Sequence, residues 1–581
     1  MPACTATGRS SPPPDTGILP AVGRGLALVF GVAALLVLPA SASATVTMTD
    51  FKVEPSSKQG GGHPSVTITQ SFEYSNNTDS VKDAFVRLQP GLLGNPQAAA
   101  MCTQAQFQAD SCPADSKVGS VAIDALAYPA LAIIGIPTTS NGSVYNMRPT
   151  GDEPARVGIV VNAAGNLSKI FLQAPVYVRP GADGYGLEST FADQPRNAGV
   201  PLQITKIALT FNARGSKGAF MRMPTSCAEG TSVSRANSWE ATNSASQKEF
   251  KMTPTGCNSL GFSPRAEGAM GAPGVTSEHE FPPVSTTLKF DPEEAALRRA
   301  EVILPLSLQP SLPGVQRACS REASNASNCP ESSRVGVATI DSPLQGTPVR
   351  GPIYIAFNTP AALPGLLVLL PAPVSVRLDG ASDSGTFGTR NTFPSNPDLP
   401  VRSFTLDFEG GRPDSLLALT QDLCEEGSDL TMSVNLTAYN GKVSAFEQEL
   451  ATPGCDPRAK VSVKRRGKLA KLVASVTAAR GGPGVTGITV KLPKALRRGQ
   501  PGAVVITGGR RLQPLRTGKR SVTLPFAGDG VRSAKVVWKG LRASRKLRRT
   551  TLIGLKVKDA RNHTTTFKKH VRVRGKRPKR R

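Results

Sequence analysis

Apolar and polar residues alternate along many short segments of this chain, and a period of two is typical of half-buried β-strands. Val66–Tyr74 (VTITQSFEY) and Leu430–Tyr439 (LTMSVNLTAY) show the alternation clearly, and Lys169–Val178 and Ile204–Phe211 follow the same pattern. Turn residues separate such segments at intervals of eight to twelve positions. Short strands with this spacing favour β-sandwiches, so the pattern predicts an all-β fold.

Two segments depart from the alternation. Glu293–Ala300 has a helical pattern and follows Asp291, a suitable N-cap residue, and Pro292, which favours the first position of a helix. Leu366–Val376 (LLVLLPAPVSV) is strongly apolar, but two prolines interrupt it. We predict a helix at the first segment and a buried strand at the second.

The chain contains a long internal duplication. Cys102–Asp124 (CTQAQFQADSCPADSKVGSVAID) recurs at Cys319–Asp341 (CSREASNASNCPESSRVGVATID), and both copies place two cysteines ten positions apart before a CP-x-x-S-[KR]-VG turn. The similarity extends over about two hundred residues, since Gly142–Pro149 lines up with Gly351–Asn358. A repeat of this length predicts two modules of the same fold, that is, two tandem β-sandwich-like modules.

The net charge of +27 is distributed unevenly along the 581 residues. Residues 456–581 carry 37 lysines and arginines against three acidic residues, whereas residues 45–455 carry 30 basic and 38 acidic residues. We therefore expect a neutral-to-acidic body with a cationic end. The predicted division is a signal peptide at 1–44, β-modules at 45–262 and 263–458, a smaller basic Ig-like β-domain at 459–574, and a basic disordered tail at 575–581.

The first 44 residues are typical of a secretory signal peptide. Arg24 precedes an apolar run, Leu26–Leu38, which is followed by Pro39 and the small residues ASASA. We expect cleavage after Ala44, with Ala42 as the second choice, and export of the mature chain. An uncleaved membrane anchor is the alternative, although the run is short for a span of about 20 residues. No later segment has the pattern of a transmembrane helix.

Eight cysteines remain once the leader is removed, and an even number in an exported chain indicates disulfides. Each copy of the duplication has one pair ten residues apart and one pair about thirty apart. The predicted disulfides are Cys102–Cys112, Cys227–Cys257, Cys319–Cys329 and Cys424–Cys455. The alternative is a zinc site with four cysteine ligands in each module. Structural zinc usually pairs ligands two to four residues apart, however, and no such pair occurs.

Four segments carry a resemblance to a known family: Leu88–Pro96 (LQPGLLGNP), Cys102–Gly119, Tyr145–Gly158 (YNMRPTGDEPARVG) and Tyr185–Gly186. They resemble large exported repeat proteins from actinobacteria of the Solirubrobacter type. The resemblance covers both modules and, more loosely, the basic domain. The second module departs from it, because LPLSLQPSLPG replaces the first segment and TPAALPG replaces EPARVG. The resemblance implies an exported location and a modular architecture, and it implies no activity.

The basic domain concentrates charge in the segments RRGK, GGRRLQPLRTGKR and LRASRKLRR. The predicted anion-binding residues are Arg465, Arg466, Lys468, Arg510, Arg511, Arg545, Lys546, Arg548 and Arg549. We expect them to bind anionic cell-wall or membrane-surface polymers, and to bind less at high salt. Specific nucleic-acid recognition is less suitable, because export argues against it and the domain has only three aromatic residues, Phe526, Trp538 and Phe567. A role in solubility alone is the other alternative.

No motif for catalysis or cofactor binding occurs in the sequence. His279 is the only histidine with acidic neighbours, Glu278 and Glu280, and on a strand these would point away from it. We therefore predict no metal ion, no cofactor and a non-enzymatic protein. Two alternatives stay open: a secreted carbohydrate-active or other hydrolase with an unrecognised pair of carboxylates, and a module that binds a small ligand between the two sandwiches.

Acidic residues recur at two positions of the duplication: Asp124 with Asp341, and, one position out of register, Asp115 with Glu331. Asp115 and Glu331 lie in the turn after the second cysteine, where an acid commonly accepts backbone N–H bonds. We expect structural roles for all four. The glycine of each VG pair is expected to serve the turn or a β-bulge.

Overall fold

The computed structural model describes most of the chain after residue 45. The described residues are 46–129, 134–163, 168–181, 183–198, 200–360, 363–386, 388–425, 427–479, 482–499, 502–507, 510–512, 516–518, 520–528, 530–544, 547, 550–560 and 562–575. They form mainly antiparallel strands with few helical turns, which confirms the predicted all-β fold. The predicted signal peptide and the predicted tail, apart from Gly575, lie outside the described residues. Within the described part, no helix is both long and apolar enough to cross a membrane.

Strand pairing separates three groups of strands. The first group comprises β1 (Val46–Pro55), β2 (Val66–Tyr74), β3 (Val81–Arg87), β4 (Leu93–Gly94), β5 (Lys117–Ala127), β6 (Ile136–Met147), β7 (Ala155–Ala163), β8 (Ser168–Gly181), β9 (Gly184–Phe191), β10 (Leu202–Phe211), β11 (Arg214–Gly215), β12 (Gly218–Ala219), β13 (Met221–Arg222), β14 (Gly230–Ser238) and β15 (Ser246–Met252). Eleven of them pair in the order β1-β2-β10-β5-β6-β7-β8-β9-β3-β14-β15. This sheet curls so that its two edge strands meet: Met48 of β1 donates its backbone N–H to Ser246 Oγ of β15 over 2.9 Å. Residues from both edges share one core, including Val46, Phe72 and Met252.

The second group repeats this arrangement. It comprises β16 (Arg265–Met270), β17 (Val284–Lys289), β18 (Leu297–Ile303), β19 (Leu308–Pro310), β20 (Arg334–Asp341), β21 (Val349–Ala356), β22 (Gly365–Leu370), β23 (Val376–Asp379), β24 (Ala381–Gly385), β25 (Gly388–Phe393), β26 (Ser403–Phe408), β27 (Leu417–Leu419), β28 (Thr431–Ala438) and β29 (Val443–Glu449). One sheet has the order β16-β17-β26-β20-β21-β22-β23 and the other the order β24-β25-β18-β28-β29. Read end to end, this is the strand order of the first group. The long strand β8 is replaced by β23 and β24, which Gly380 separates.

The third group forms a further sheet that encloses its own core around the fully buried Trp538. It comprises β30 (Arg458–Arg466), β31 (Leu469–Thr477), β32 (Val485–Lys491), β33 (Leu496–Arg497), β34 (Gly502–Thr507), β35 (Arg510–Leu512), β36 (Arg516–Thr517), β37 (Ser521–Pro525), β38 (Ser533–Ala543), β39 (Thr550–Asp559) and β40 (Thr564–Arg574). The order is β35-β34-β38-β31-β30-β40-β39-β32-β37-β36, with β33 paired to β38. β30 and β40 pair in parallel, and this pair joins the two halves of the sheet.

The duplicated cysteine segments fold alike. A short helix follows the first cysteine of each copy: α1 (Gln104–Gln108) in the first and α3 (Arg321–Asn325) in the second. Another short helix, α2 (Leu312–Val315), lies just before the second copy. Thr103 caps α1 through a capping box with Gln106, and Ser320 caps α3. Disulfides join Cys102–Cys112, Cys227–Cys257, Cys319–Cys329 and Cys424–Cys455, with Cα–Cα distances of 5.2, 5.8, 5.5 and 5.4 Å. These are the four pairs that the spacing predicts.

A glycine lies at a β-bulge in each copy, as predicted. The register shifts between Lys117 and Gly119 in β5, and between Arg334 and Gly336 in β20. A Cβ atom at Gly119 would lie 2.1 Å from the carbonyl oxygen of Thr210, and one at Gly336 would lie 2.2 Å from that of Asp407. Only glycine permits the neighbouring strand to approach this closely.

The predicted helix at Glu293–Ala300 is wrong. The chain turns at 291–294 and then enters strand β18, between β25 and β28. The backbone N–H of Ala295 bonds to Gly261 O over 3.0 Å, and that of Ala296 bonds to Thr225 Oγ1 over 3.1 Å. Tertiary partners therefore take the donors that a helix would use. The predicted strand at Leu366–Val376 is interrupted, because β22 ends at Leu370 and a turn precedes β23.

A buried carboxylate joins the first two groups of strands. Asp398, 4% exposed, accepts hydrogen bonds from the backbone N–H of Thr225 (2.8 Å) and from its hydroxyl (2.7 Å). Burial raises the pKa of Asp398 above its usual value, while these bonds and the charge of Arg222 oppose the rise. Asn440 adds a bond from its amide to Cys257 O over 3.2 Å. The two modules therefore meet through specific polar contacts.

Candidate anion-binding surface

The outer face of the third sheet presents lysine and arginine at alternate positions along several strands. On β30, Lys460, Lys464 and Arg466 are exposed, while Val463 and Arg465 between them are buried. Lys471 of β31 lies directly opposite Lys464 in the antiparallel register. The alternation follows from the pleat, which turns every second side chain outward.

The same face continues across β40, β39 and β32. Arg574 lies opposite Lys464 in the parallel pair, and Lys568 and Arg572 precede it at intervals that keep them on one face. The exposed cations of the whole face are Lys460, Lys464, Arg466, Lys471, Lys491, Lys535, Lys539, Lys556, Lys558, Lys568, Arg572 and Arg574. Neighbours along a strand are about 7 Å apart, and strands are about 5 Å apart.

The carboxylates that the structure describes do not neutralise this face. Within the described part of 458–575 the one carboxylate is Asp559, which is 2% exposed and accepts the backbone N–H of His563 over 3.0 Å. Asp456, at the boundary, lies 3.7 Å from His563 Nδ1. None of the outer-face cations forms an ion pair with a carboxylate among the described residues. The surface therefore keeps a strong positive potential that attracts anions.

The nine predicted anion-binding residues differ in their exposure and in whether the structure describes their side chains. Arg466 and Lys468 are exposed, as binding requires, but Arg465 is only 5% exposed and donates from Nε to Gly467 O over 2.9 Å. We therefore leave Arg465 out of the candidate surface. Arg510 and Arg511 lie on β35, and their side chains are outside the described part of the chain. Arg545, Lys546, Arg548 and Arg549 also lie outside the described residues.

Sequence reasoning selected clusters of cations and, apart from Arg466, missed the exposed cations that alternate along the strands. The signal that could have found them is the alternation of apolar and basic residues with a period of two, as in the segments LKVKD and FKKHVRVR. Valine and leucine in these segments point into the core, and the cations between them point outward. The same alternation that predicts a strand therefore also predicts which face is cationic.

The histidine with acidic neighbours does not lie on a strand. His279 is in a turn with φ of 67°, and its side chain is highly exposed. Glu280 accepts the backbone N–H groups of Thr276 (2.6 Å) and Ser277 (3.0 Å), so its carboxylate stabilises the turn. Among the described residues no group of three or more potential ligands could hold a metal ion.

The recurring acids contact nearby side chains of their own module. Asp124 accepts a hydrogen bond from Thr139 Oγ1 over 2.7 Å. Asp341 lies 3.2 Å from Arg402, and Glu331 lies 2.8 Å from Arg334. Asp115 accepts the hydroxyl hydrogen bond of Ser216 through its backbone oxygen, over 2.9 Å. The carboxylates of Asp124, Asp341 and Glu331 therefore make local contacts, but Glu331 pairs with a side chain rather than with the expected backbone N–H groups, and the contact of Asp115 involves its backbone.

Neither a protein-family model nor a curated protein matches the sequence. Among solved structures, the chain is similar to the collagen adhesin CNA from S. aureus, with 8% identity, a TM-score of 0.17, and coverage of 54% of this chain and 93% of that one. The N-terminal domain of the Streptococcus gordonii adhesin Sgo0707 has 8% identity, a TM-score of 0.19, and coverage of 91% and 94%. A DUF4785 family protein from Legionella pneumophila has 8% identity, a TM-score of 0.19, and coverage of 91% of both chains. TM-scores this low provide no basis for assigning a function.

Proposed function

We propose that this protein is an exported, non-enzymatic component of the cell envelope, and that its third sheet holds it to anionic wall polymers. The observation that carries the proposal is the outer face described above, where cations recur on six strands and no described carboxylate pairs with them. A linear polyanion could contact many of these cations at once. Single exposed ion pairs contribute little, so affinity would come from their number.

The disulfides support the exported location. All eight cysteines of the described chain are paired, and four disulfides of this kind persist in oxidising compartments rather than in a reducing cytosol. The abundant anions in such a location are wall polymers and phospholipid headgroups. We favour the wall polymer, and anionic vesicles form the second arm of the test.

Removal of four outer-face cations tests the proposal. The variant carries Lys556→Gln, Lys558→Gln, Lys568→Gln and Arg572→Gln, which clears adjacent positions on β39 and β40. Binding to purified cell walls is measured by sedimentation over a salt series. We expect weaker retention at low salt, and a plot of log affinity against log salt that is shallower by up to about 3, if each lost contact removes roughly 0.7 from the slope.

A matched control removes the same charge elsewhere. Lys52, Lys248, Lys251 and Arg299 are exposed residues of the first two modules, and their exchange for glutamine lowers the net charge by the same amount. The control should retain wild-type binding. Equal weakening of both variants would show that only net charge matters, and unchanged binding of both would also overturn the proposal. Preferential binding to anionic vesicles over walls would identify a membrane surface as the target instead.

A glycoside hydrolase would typically need two carboxylates at a pocket, within about 10 Å of each other. Asp291 and Glu294 both line a cavity of about 70 Å³. Asp291 accepts the backbone N–H of Glu293 over 3.0 Å, and Glu294 accepts the N–H (2.6 Å) and hydroxyl (2.7 Å) of Ser263. Both carboxylates therefore stabilise the local turns, and we propose no reaction for them.

A further inference from the structure

Each of the first two modules encloses an apolar cavity between the two faces of its curled or paired sheets. The cavity of the first module has a volume of about 160 Å³, and that of the second about 350 Å³. Phe211 and Phe408, which pair with the two bulge glycines, line the first and the second cavity. Phe191 and Phe393, at the ends of β9 and β25, do the same. The cavity is therefore part of the duplicated fold.

The first cavity contains a buried polar side chain without a full set of partners. Gln194 is 2% exposed, and its Nε2 donates to Phe191 O over 3.1 Å. Its Oε1 is buried and has no hydrogen-bond partner among the described residues. Gln194 lines both the 160 Å³ cavity and an adjoining cavity of about 110 Å³, and Ile123 and Leu172 line both as well. An unpaired buried acceptor has lost its hydration without gaining a partner, so a ligand donor that reached it would be stabilised.

The second module has an asparagine at the equivalent position. The backbone N–H of Gln194 bonds to Lys82 O over 2.8 Å, and that of Asn396 bonds to Arg298 O over 2.9 Å, which identifies Asn396 as the equivalent residue. The shorter Asn396 side chain turns back and donates to Arg298 O over 3.1 Å. The longer Gln194 side chain lines the 160 Å³ cavity of the first module, and Asn396 lines the 70 Å³ cavity of the second. Among the described residues, the amide oxygen is buried and unpaired at Gln194 and not at Asn396.

Charged groups around the first cavity are already paired. Arg156 donates to Glu153 from Nε over 2.8 Å and from a second guanidinium nitrogen, and Glu188 is bonded to Arg87. A charged ligand would find no free counter-ion here and would lose its hydration. The cavity therefore favours an uncharged ligand.

The second module completes one wall of the cavity. Leu344 and Gln345, in the turn after β20, line it together with residues of the first module. The ligand site expected between the two sandwiches would thus lie inside the first module, with the second module at its boundary.

We propose that the first module binds a small uncharged molecule that has an apolar body and one hydroxyl or uncharged N–H donor, with the donor bonded to Gln194 Oε1. A cavity of about 150 Å³ accommodates a benzene-sized group, so the two adjoining cavities set the body at roughly six to ten carbon atoms. The site is separate from the cationic surface and does not depend on the proposed envelope function.

Phenol and benzene are suitable probes, because they share a ring and differ by one donor. Binding of each to the full-length mature chain is measured by titration calorimetry. The variant Gln194→Met keeps the length of the side chain and removes the acceptor. We expect the phenol affinity to fall roughly three- to tenfold, with benzene affinity changed less than about twofold.

A second variant blocks the space rather than the acceptor. Ile207 lines the first cavity, and the equivalent residue of the second module is Phe404, since both pair with an isoleucine four residues after the bulge glycine. Ile207→Phe therefore introduces a side chain that this fold already accepts, and it should abolish binding of both probes.

Three results would overturn the proposal: no binding of either probe to the wild type, equal loss of both probes in Gln194→Met, or undiminished binding in Ile207→Phe. Circular dichroism verifies that each variant folds. If Gln194→Met does not fold, a crystal of the wild type with phenol decides. A phenol oxygen within hydrogen-bond distance of Gln194 Oε1 supports the site, and phenol located elsewhere contradicts it.

Discussion

Asp398→Ala is expected to destabilise the junction between the first two modules by about 3–5 kcal/mol. Two contacts of Asp398 set this magnitude: the bonds from the backbone N–H of Thr225 at 2.8 Å and from its hydroxyl at 2.7 Å. A buried donor that loses its acceptor costs about 1–3 kcal/mol, and Thr225 is fully buried, so water cannot replace the acceptor of its two donors. Arg222, 7% exposed, would also lose a nearby negative charge.

The pH dependence of the junction has a definite sign. Burial raises the pKa of Asp398 in the folded chain, whereas an unfolded aspartate titrates near 4. The folded state therefore binds more protons between the two values, and the contribution of Asp398 to stability declines as pH rises through that window. Asp398→Asn removes this titration. We expect the wild type to lose stability relative to Asp398→Asn as pH increases from 3 towards 7.

Scanning calorimetry of the full-length mature chain measures both effects. Asp341→Ala is the matched control, because it removes an aspartate of the same module whose ion pair with Arg402 is partly exposed. Asp341→Ala should lower the free energy of unfolding by less than about 1 kcal/mol. A wild type that gains stability relative to Asp398→Asn with rising pH would refute the reasoning, since that is the behaviour of a carboxylate with a lowered pKa. Equal effects of Asp398→Ala and Asp341→Ala would refute the assigned magnitude.

Two further substitutions test the duplicated fold by thermal and urea unfolding. Gly336→Ala should lower the free energy of unfolding by about 2–4 kcal/mol, because its Cβ would lie 2.2 Å from Asp407 O. Gly554→Ala is the control: its nearest contact would be at 3.5 Å, so the free energy of unfolding should change by less than about 0.5 kcal/mol. Similar losses of stability in the two variants would contradict the close-approach argument. Replacement of Cys424 and Cys455 by alanine opens a loop of 31 residues and should cost about 3–4 kcal/mol. A double variant with wild-type stability would show that the crosslink constrains little.

Local pattern predicted much of the secondary structure because burial alternates with the pleat. Val66–Tyr74, chosen for its alternation, coincides with β2, and Ile204–Phe211 falls within β10. The prediction of a helix at Glu293–Ala300 was wrong because tertiary contacts, rather than the local pattern, decide the structure there. Its capping residues are real turn formers, but partners from other segments take the backbone donors that follow. Local propensity is a weak preference that such contacts override.

The sequence by itself determined the duplication, the pairing of its cysteines, the all-β class and the location of the positive charge. Each of these depends on spacing or composition, which are read along one dimension. Only the tertiary structure decided that the cations of β30, β39 and β40 share one face, that Asp398 is buried against Thr225, and that Gln194 lines a cavity. These features bring together residues from distant strands, and their meeting depends on sheet order and register, which no local pattern specifies.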